Sequence, residues 1–157
     1  EEPESDNVLM KKHEVVHTHG RYLRKFIDAA RANGATPIIC SMPPHKVWDE
    51  KGRLVRETNY INWTRDVAQQ RKIGFINLNE IVAARYDALG HDKVMTLFPA
   101  EEHDHTNLAG AELVASYVVA GLKLLKPNPL APYFSNQAAG VAAADPASLA
   151  APVSSAL

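Results

Sequence analysis

Five consecutive positions late in the chain, Glu101-Glu102-His103-Asp104-His105, hold three carboxylates and two imidazoles, immediately ahead of an apolar helical run that opens Thr106-Asn107-Leu108-Ala109-Gly110-Ala111-Glu112. A histidine works as a general base when one ring nitrogen takes a proton from a hydroxyl while an acceptor at the other fixes tautomer and orientation. A carboxylate three residues earlier in a tight turn can reach that second nitrogen, and Glu102 stands in this relation to His105. Glu102 and His105 are therefore the candidate catalytic pair. Asp104 would point elsewhere; it is a candidate cap for the following helix, a role that Thr106 or Asn107 could share. His103 is a candidate wall of the site. The same cluster also reads as a zinc site, since imidazoles and carboxylates suit that ion. Zinc would want a further well-placed ligand, and the nearest histidines, His17 and His19, lie far away and fall on different faces of their own helix.

The elements that must position this cluster are legible as periodicity. Apolar residues at helical spacing over residues 11–33 (Val15, Val16, Tyr22, Leu23, Phe26, Ile27, Ala30) predict a first helix, stopped by Asn33-Gly34. Thr36-Pro37-Ile38-Ile39-Cys40-Ser41 predicts a strand buried on both faces, with Cys40 in the core. A loop over residues 42–58 follows, broken by Pro43-Pro44, with a small turn at Lys51-Gly52 between Val47-Trp48 and Leu54-Val55. Residues 59–72 predict a helix with Tyr60, Trp63, Val67 and Ala68 inward; 74–78 a second strand; 79–89 a helix with Ile81, Val82 and Tyr86 inward; 92–97 a short turn; and 107–125 a last helix stopped by Pro127. Residues 1–7 read as loop. Residues 135–157, rich in Ala, Ser, Pro and Val, read as a disordered tail, which leaves 8–134 as the structured domain.

The order αβαβαα is α/β. Two strands offer four amphipathic helices too little surface, so the sequence predicts a parallel sheet whose N-terminal strands lie outside these residues. The chain opens without an initiator methionine or a signal peptide, and the true N-terminus is expected upstream of Glu1.

Bulk properties narrow the function classes. The 157 residues are 46% hydrophobic and 22% charged with a formal net charge of −1, so no electrostatic footprint for nucleic acid or an anionic membrane exists. The most apolar run is interrupted by Glu112 and Lys123, which argues against a membrane span. Cys40 is the single cysteine, which excludes an internal disulfide and a thiolate metal cluster. Ser41 precedes Met42-Pro43-Pro44, with no helix behind it to form a nucleophile elbow. Trp48, in the loop after the first predicted strand, is a candidate for stacking on a sugar; packing of a small hairpin is the alternative.

The block His105-Thr106-Asn107-Leu108-Ala109-Gly110-Ala111-Glu112 resembles the histidine-Thr-Ser/Asn-x-x-Gly-Ala-Glu block of rhamnogalacturonan acetylesterases, which belong to the SGNH (GDSL) class of hydrolases. His13-Glu14-Val15-Val16-His17-Thr18, Gly34-Ala35-Thr36-Pro37-Ile38, Phe75-Ile76-Asn77-Leu78-Asn79-Glu80 and Asn128-Pro129-Leu130-Ala131-Pro132-Tyr133-Phe134 follow that family's C-terminal half in order, over residues 8–134. The resemblance implies a three-layer α/β/α, flavodoxin-like domain and a cofactor-free serine esterase that removes acetyl groups from a pectic polysaccharide in a secreted or periplasmic setting. His105 would be its general base, Glu102 the orienting acid, and His103 and Trp48 substrate contacts. Two departures stand out. Glu102 occupies the place of the family's aspartate. No Gly-Asp-Ser and no Gly-x-Asn-Asp block occurs, so the nucleophile and oxyanion donors are expected upstream, and these residues alone are expected to be inactive. The alternative is a non-catalytic carbohydrate- or zinc-binding module on the same half-sheet.

Overall fold

A computed structural model describes residues 5–7, 12–14, 17–102 and 104–150. Two short strands, β1 (Ser5–Asn7) and β2 (Lys12–Glu14), pair antiparallel, with Asp6 opposite His13. The sequence predicts loop and helix there instead. Ser-Asp-Asn and Lys-His-Glu contain no apolar residue, so no alternation marks a buried face and the pairing leaves no period-2 signal. Val15 and Val16 lie outside the described residues.

Helix α1 (His19–Ala32) starts where the Thr18 hydroxyl accepts the Arg21 N–H, eight residues later than periodicity predicts. It ends as the Asn33 side chain donates to Ala29 O and Gly34 takes φ 74°. Strand β3 (Ile38–Cys40) runs parallel to β4 (Gly74–Ile76), with Ile38 opposite Gly74 and Cys40 opposite Ile76. Helix α2 (Asn59–Arg71) is the crossover between them; α3 (Leu78–Leu89), the short α4 (His91–Met95) and α5 (Leu108–Leu122) follow.

Side chains alternate across β4, so the sheet separates two apolar layers. Phe75 lies under the Arg65 guanidinium of α2, 5.7 Å from its ring centre. Ile76, fully buried, faces α5 so closely that a Cβ on Gly121 would sit 2.4 Å from its Cγ2. On the α5 side the core gathers Leu54, Ile76, Ile81, Val82, Tyr86, Val94, Phe98 and Tyr117. On the other side α1 packs on α2 through Ile27, with Leu23 and Ala30 half-buried. The architecture is thus α/β about a parallel pair of strands, in keeping with the sequence prediction.

Several inward assignments fail, for one reason. Phe26 is 71% exposed, Tyr22, Tyr60 and Trp63 are partly exposed, and Cys40 is exposed rather than in the core. Among the described residues the parallel sheet has two strands, so β3 pairs on one side only, and α1 and α2 bury just the stripe that faces each other and the sheet.

The loop over residues 42–58 forms the small hairpin predicted around Lys51-Gly52. Trp48 bridges Leu54, Val55 N–H donates to Val47 O, and Gly52 takes φ 71°. The Asp49 carboxylate accepts the N–H groups of Lys51 and Arg53, and the Arg53 bond above all holds its pKa below the ordinary value. Arg56 ties this loop to α3. Its guanidinium donates to Glu80, to Asp87 at 2.8 Å and to Leu54 O at 2.7 Å, while Asp87 also accepts Leu54 N–H.

Residues 135–150 depart from the disordered tail predicted from composition. A short 3-10 turn (Ala131–Tyr133) leads to α6 (Asn136–Gly140), and Ala144 is buried with its N–H donating to Ala120 O of α5. Lys123 donates to the carbonyls of Ala139 and Val141, and in α7 (Ala147–Ala150), which closes the described chain, Ser148 O accepts from the buried Asn77 amide. Small side chains let this segment approach α5 closely. It is held by backbone bonds that leave no trace in hydropathy. Residues 151–157 lie outside the described residues.

Candidate active site

Residues 96–107 form a loop that is pinned where its ends meet. Asn107 N–H donates to Leu97 O at 2.9 Å, and its side-chain amide donates to Thr96 O at 2.8 Å. The same side chain caps α5 by accepting Gly110 N–H at 3.0 Å. The cap is therefore Asn107, one of the residues the sequence allowed, and not Asp104. Gly110 has a second duty: a Cβ there would lie 2.4 Å from Leu97 O, so only glycine lets the loop rest on the helix.

Within the loop, Glu101 takes the left-handed conformation (φ 63°) and Glu102 N–H donates to Pro99 O, which turns the Glu102 side chain back over the following residues. One carboxylate oxygen, Oε1, accepts the N–H groups of Asp104 (3.0 Å) and His105 (3.3 Å). The other, Oε2, lies 3.2 Å from His105 Nδ1. An acceptor at Nδ1 places the proton there and leaves Nε2 with its lone pair, the tautomer a general base needs. The imidazole is 84% exposed and Glu102 about one-third exposed. The ring is thus held from below and presented to solvent. The longer reach of glutamate is absorbed by the two backbone bonds, which fix the carboxylate against its own turn.

The structure adds a partner that sequence reasoning missed. His45 Nδ1 lies 2.6 Å from Asp104 Oδ1, which links the loop after β3 to the site loop across 59 residues. Beside it, Lys46 is 7% exposed with its ammonium 5.1 Å from the centre of the Phe98 ring. No sequence signal could have paired residues so far apart; what the sequence did offer was a loop at the carboxyl end of a parallel strand, where such contacts collect.

Other sequence candidates fall elsewhere. Trp48 is half-buried against the core, its ring 4.6 Å from that of His91 on α4, and its described contacts do not include His105 or Glu102. His103 lies outside the described residues. Ser41 is 3% exposed and structural: its hydroxyl donates to Asn77 Oδ1 and accepts Asn79 N–H at 3.0 Å. Among the described residues no group of three or more His, Cys, Asp or Glu side chains is arranged to hold a metal ion, and no helix is long and apolar enough to cross a membrane.

No protein-family model matches the chain. A probable rhamnogalacturonan acetylesterase of Bacillus subtilis (strain 168), YesY, is 29% identical over 113 residues, which cover 69% of this chain and 52% of YesY. The chain therefore spans about half the length of this curated relative. A solved structure, that of the protein YxiM from Bacillus subtilis, matches with a TM-score of 0.62 at 24% identity, over 66% of this chain and 30% of YxiM. The likeness to YxiM establishes a shared α/β fold. The likeness to YesY bears out the family resemblance drawn from the His105 block.

Proposed function

We propose that the chain supplies the base and its orienting acid to a serine ester hydrolase that removes acetyl groups from a pectic polysaccharide. The observation that carries this reading is the 3.2 Å contact between Glu102 Oε2 and Nδ1 of an exposed His105. Similarity to a probable rhamnogalacturonan acetylesterase supports the substrate class. The nucleophile in this reading is a serine carried outside these residues.

Each proton has a place to go. As the serine oxygen attacks the acetyl carbonyl, its proton passes to His105 Nε2, and the imidazolium that forms is stabilised through Nδ1–H by the Glu102 carboxylate. Collapse of the tetrahedral intermediate breaks the bond to the sugar oxygen, which leaves with the proton from Nε2. Water then attacks the acetyl-enzyme, giving its proton to the same nitrogen, and acetate and the free serine are regenerated. Glu102 keeps its charge throughout.

The test is acetate release from acetylated rhamnogalacturonan by the full-length gene product and by its variants. His105→Ala is expected to lower turnover by about 10⁴-fold or more, and Glu102→Gln by about 10–100-fold, a smaller loss than for a buried acid because water also screens the imidazolium. The 157 residues alone are expected to hydrolyse an aryl acetate no faster than their own His105→Ala variant. Activity within tenfold of the parent in full-length His105→Ala would refute the assignment.

A further inference from the structure

We propose that the cleft between α1 and α2 is a saccharide-binding site, separate from the acid–imidazole pair, that takes one or two pyranose units of a polysaccharide. It rests on the polysaccharide half of the function proposed above and not on the chemistry of His105. Tyr60 and Trp63, one turn apart on α2, stand edge to face with ring centres 5.1 Å apart, and 47% and 48% of their surfaces remain open. Trp63 is one of only two tryptophans in the chain.

The rings are held, not loose. His19 packs edge-on against Tyr60, 5.2 Å between centres. Its Nε2 lies 3.0 Å from the hydroxyl of Thr64, which itself donates to Tyr60 O, so Nε2 carries the proton and Nδ1 is left as an acceptor. A preset aromatic wall lowers the ordering cost of binding. Polar side chains make up part of the remaining lining, Arg24, which donates to Gln70 at 3.3 Å, with Asp66 and Thr18, and Gly20 and Val67 complete it.

This combination selects the ligand class. The cleft holds about 520 Å³, within the range of small-ligand sites. One guanidinium and one carboxylate line it, so its charges balance and a phosphate or nucleic-acid ligand gains little. A pyranose ring has an apolar face of C–H groups that can lie on an indole or phenol, and a rim of adjacent hydroxyls that suits the planar, two-pronged carboxylate, amide and guanidinium of Asp66, Gln70 and Arg24.

The experiment is a titration of the isotope-labelled chain with deacetylated galacturonate–rhamnose oligosaccharides, followed by backbone amide resonances. Saturable shifts are expected at residues 18–24 and 60–70. Trp63→Ala is expected to weaken binding by on the order of tenfold or more, since a buried aromatic anchor dominates such contacts. Trp63→Phe should retain a measurable part of the affinity, and Asp66→Asn tests the polar rim should either ring variant unfold. His105→Ala and Trp48→Ala should leave affinity within about twofold, less than the 1.4 kcal/mol that a tenfold change represents. The absence of saturable shifts at millimolar oligosaccharide overturns the proposal. So do shifts that centre on residues 45–48 and 104–105 and survive Trp63→Ala. The esterase assignment is read separately, from acetate release, so either can fail alone.

Discussion

Replacing Gly110 with alanine sets helix propensity against the packing of the site loop, and the two carry opposite signs. Alanine is favoured over glycine by at most about 1 kcal/mol in a helix, and less in the first turn, where Gly110 sits. Against this, the new Cβ would lie 2.4 Å from Leu97 O and 2.7 Å from Thr106 Cβ. A backbone carbonyl cannot rotate aside, so loop and helix must separate by about 1 Å to restore ordinary contact distances. That separation strains the Asn107 N–H bond to Leu97 O and the Asn107 cap on Gly110 N–H. Losing one hydrogen bond costs about 1 kcal/mol, loss of a cap about 1 kcal/mol, and overpacking about 1–3 kcal/mol. Sterics should win, for a net loss of about 2–4 kcal/mol. Urea unfolding should show a lower midpoint with an unchanged slope. The amide resonances of Asp104 and His105 should move, because the displaced strand of loop carries the Glu102 carboxylate's acceptor bonds. Gly20→Ala is the control: it meets nothing closer than 3.4 Å and should be neutral or slightly stabilising. A Gly110→Ala chain within about 0.5 kcal/mol of the parent, with those resonances in place, would refute the reasoning.

Three further outcomes are expected. Arg56→Met leaves Glu80 and Asp87, each about a quarter exposed, without their shared cation, and should lower unfolding stability by about 2–3 kcal/mol, at the low end for a buried pair because water reaches it; a change below about 0.5 kcal/mol would make the clamp a surface ornament. Burial first, and the neighbouring Tyr117 second, push the Tyr86 hydroxyl up to about 12 from an ordinary 10. The folded chain then holds this proton where the unfolded chain releases it, so the stability is fully present below pH 10 and is lost as pH rises towards 12, by about 2–3 kcal/mol in all; urea midpoints at rising pH should show this slope, and Tyr86→Phe should remove it. His45 and Asp104 are each about half exposed, so a double-mutant cycle with alanine at both should return a coupling below about 1 kcal/mol despite the 2.6 Å contact, and a coupling above about 2 kcal/mol would show that water screens the pair far less than its exposure implies.

The contact between Glu102 and His105 was legible because both residues lie in one turn. Residue type and a spacing of three suffice when a tight loop does the positioning, and the loop itself is closed close by, through Asn107 and Gly110. The His45–Asp104 link depends on where two loops meet after folding, and no local pattern encodes that. The same division runs through the fold. α3 was read correctly to its buried face, since Ile81, Val82 and Tyr86 all turn to a core that surrounds them. α1 and α2 have equally clear apolar periodicity, but how much of a stripe is covered depends on the width of the sheet beneath it, which periodicity does not report. Phe26, Tyr60 and Trp63 are the residues where that difference appears.

The segment after Phe134 bears on how fragments of this protein should be cut. A boundary chosen from composition would fall at residue 135, where the alanines and serines begin. Trimming there would strip Lys123 of both carbonyl acceptors, uncover Ala120 O on α5 and deprive the Asn77 amide of Ser148 O. A shortened recombinant product would then owe its poor yield to a missing strap and not to any fault in the turn that holds Glu102 and His105, and variants made in that background would be misjudged.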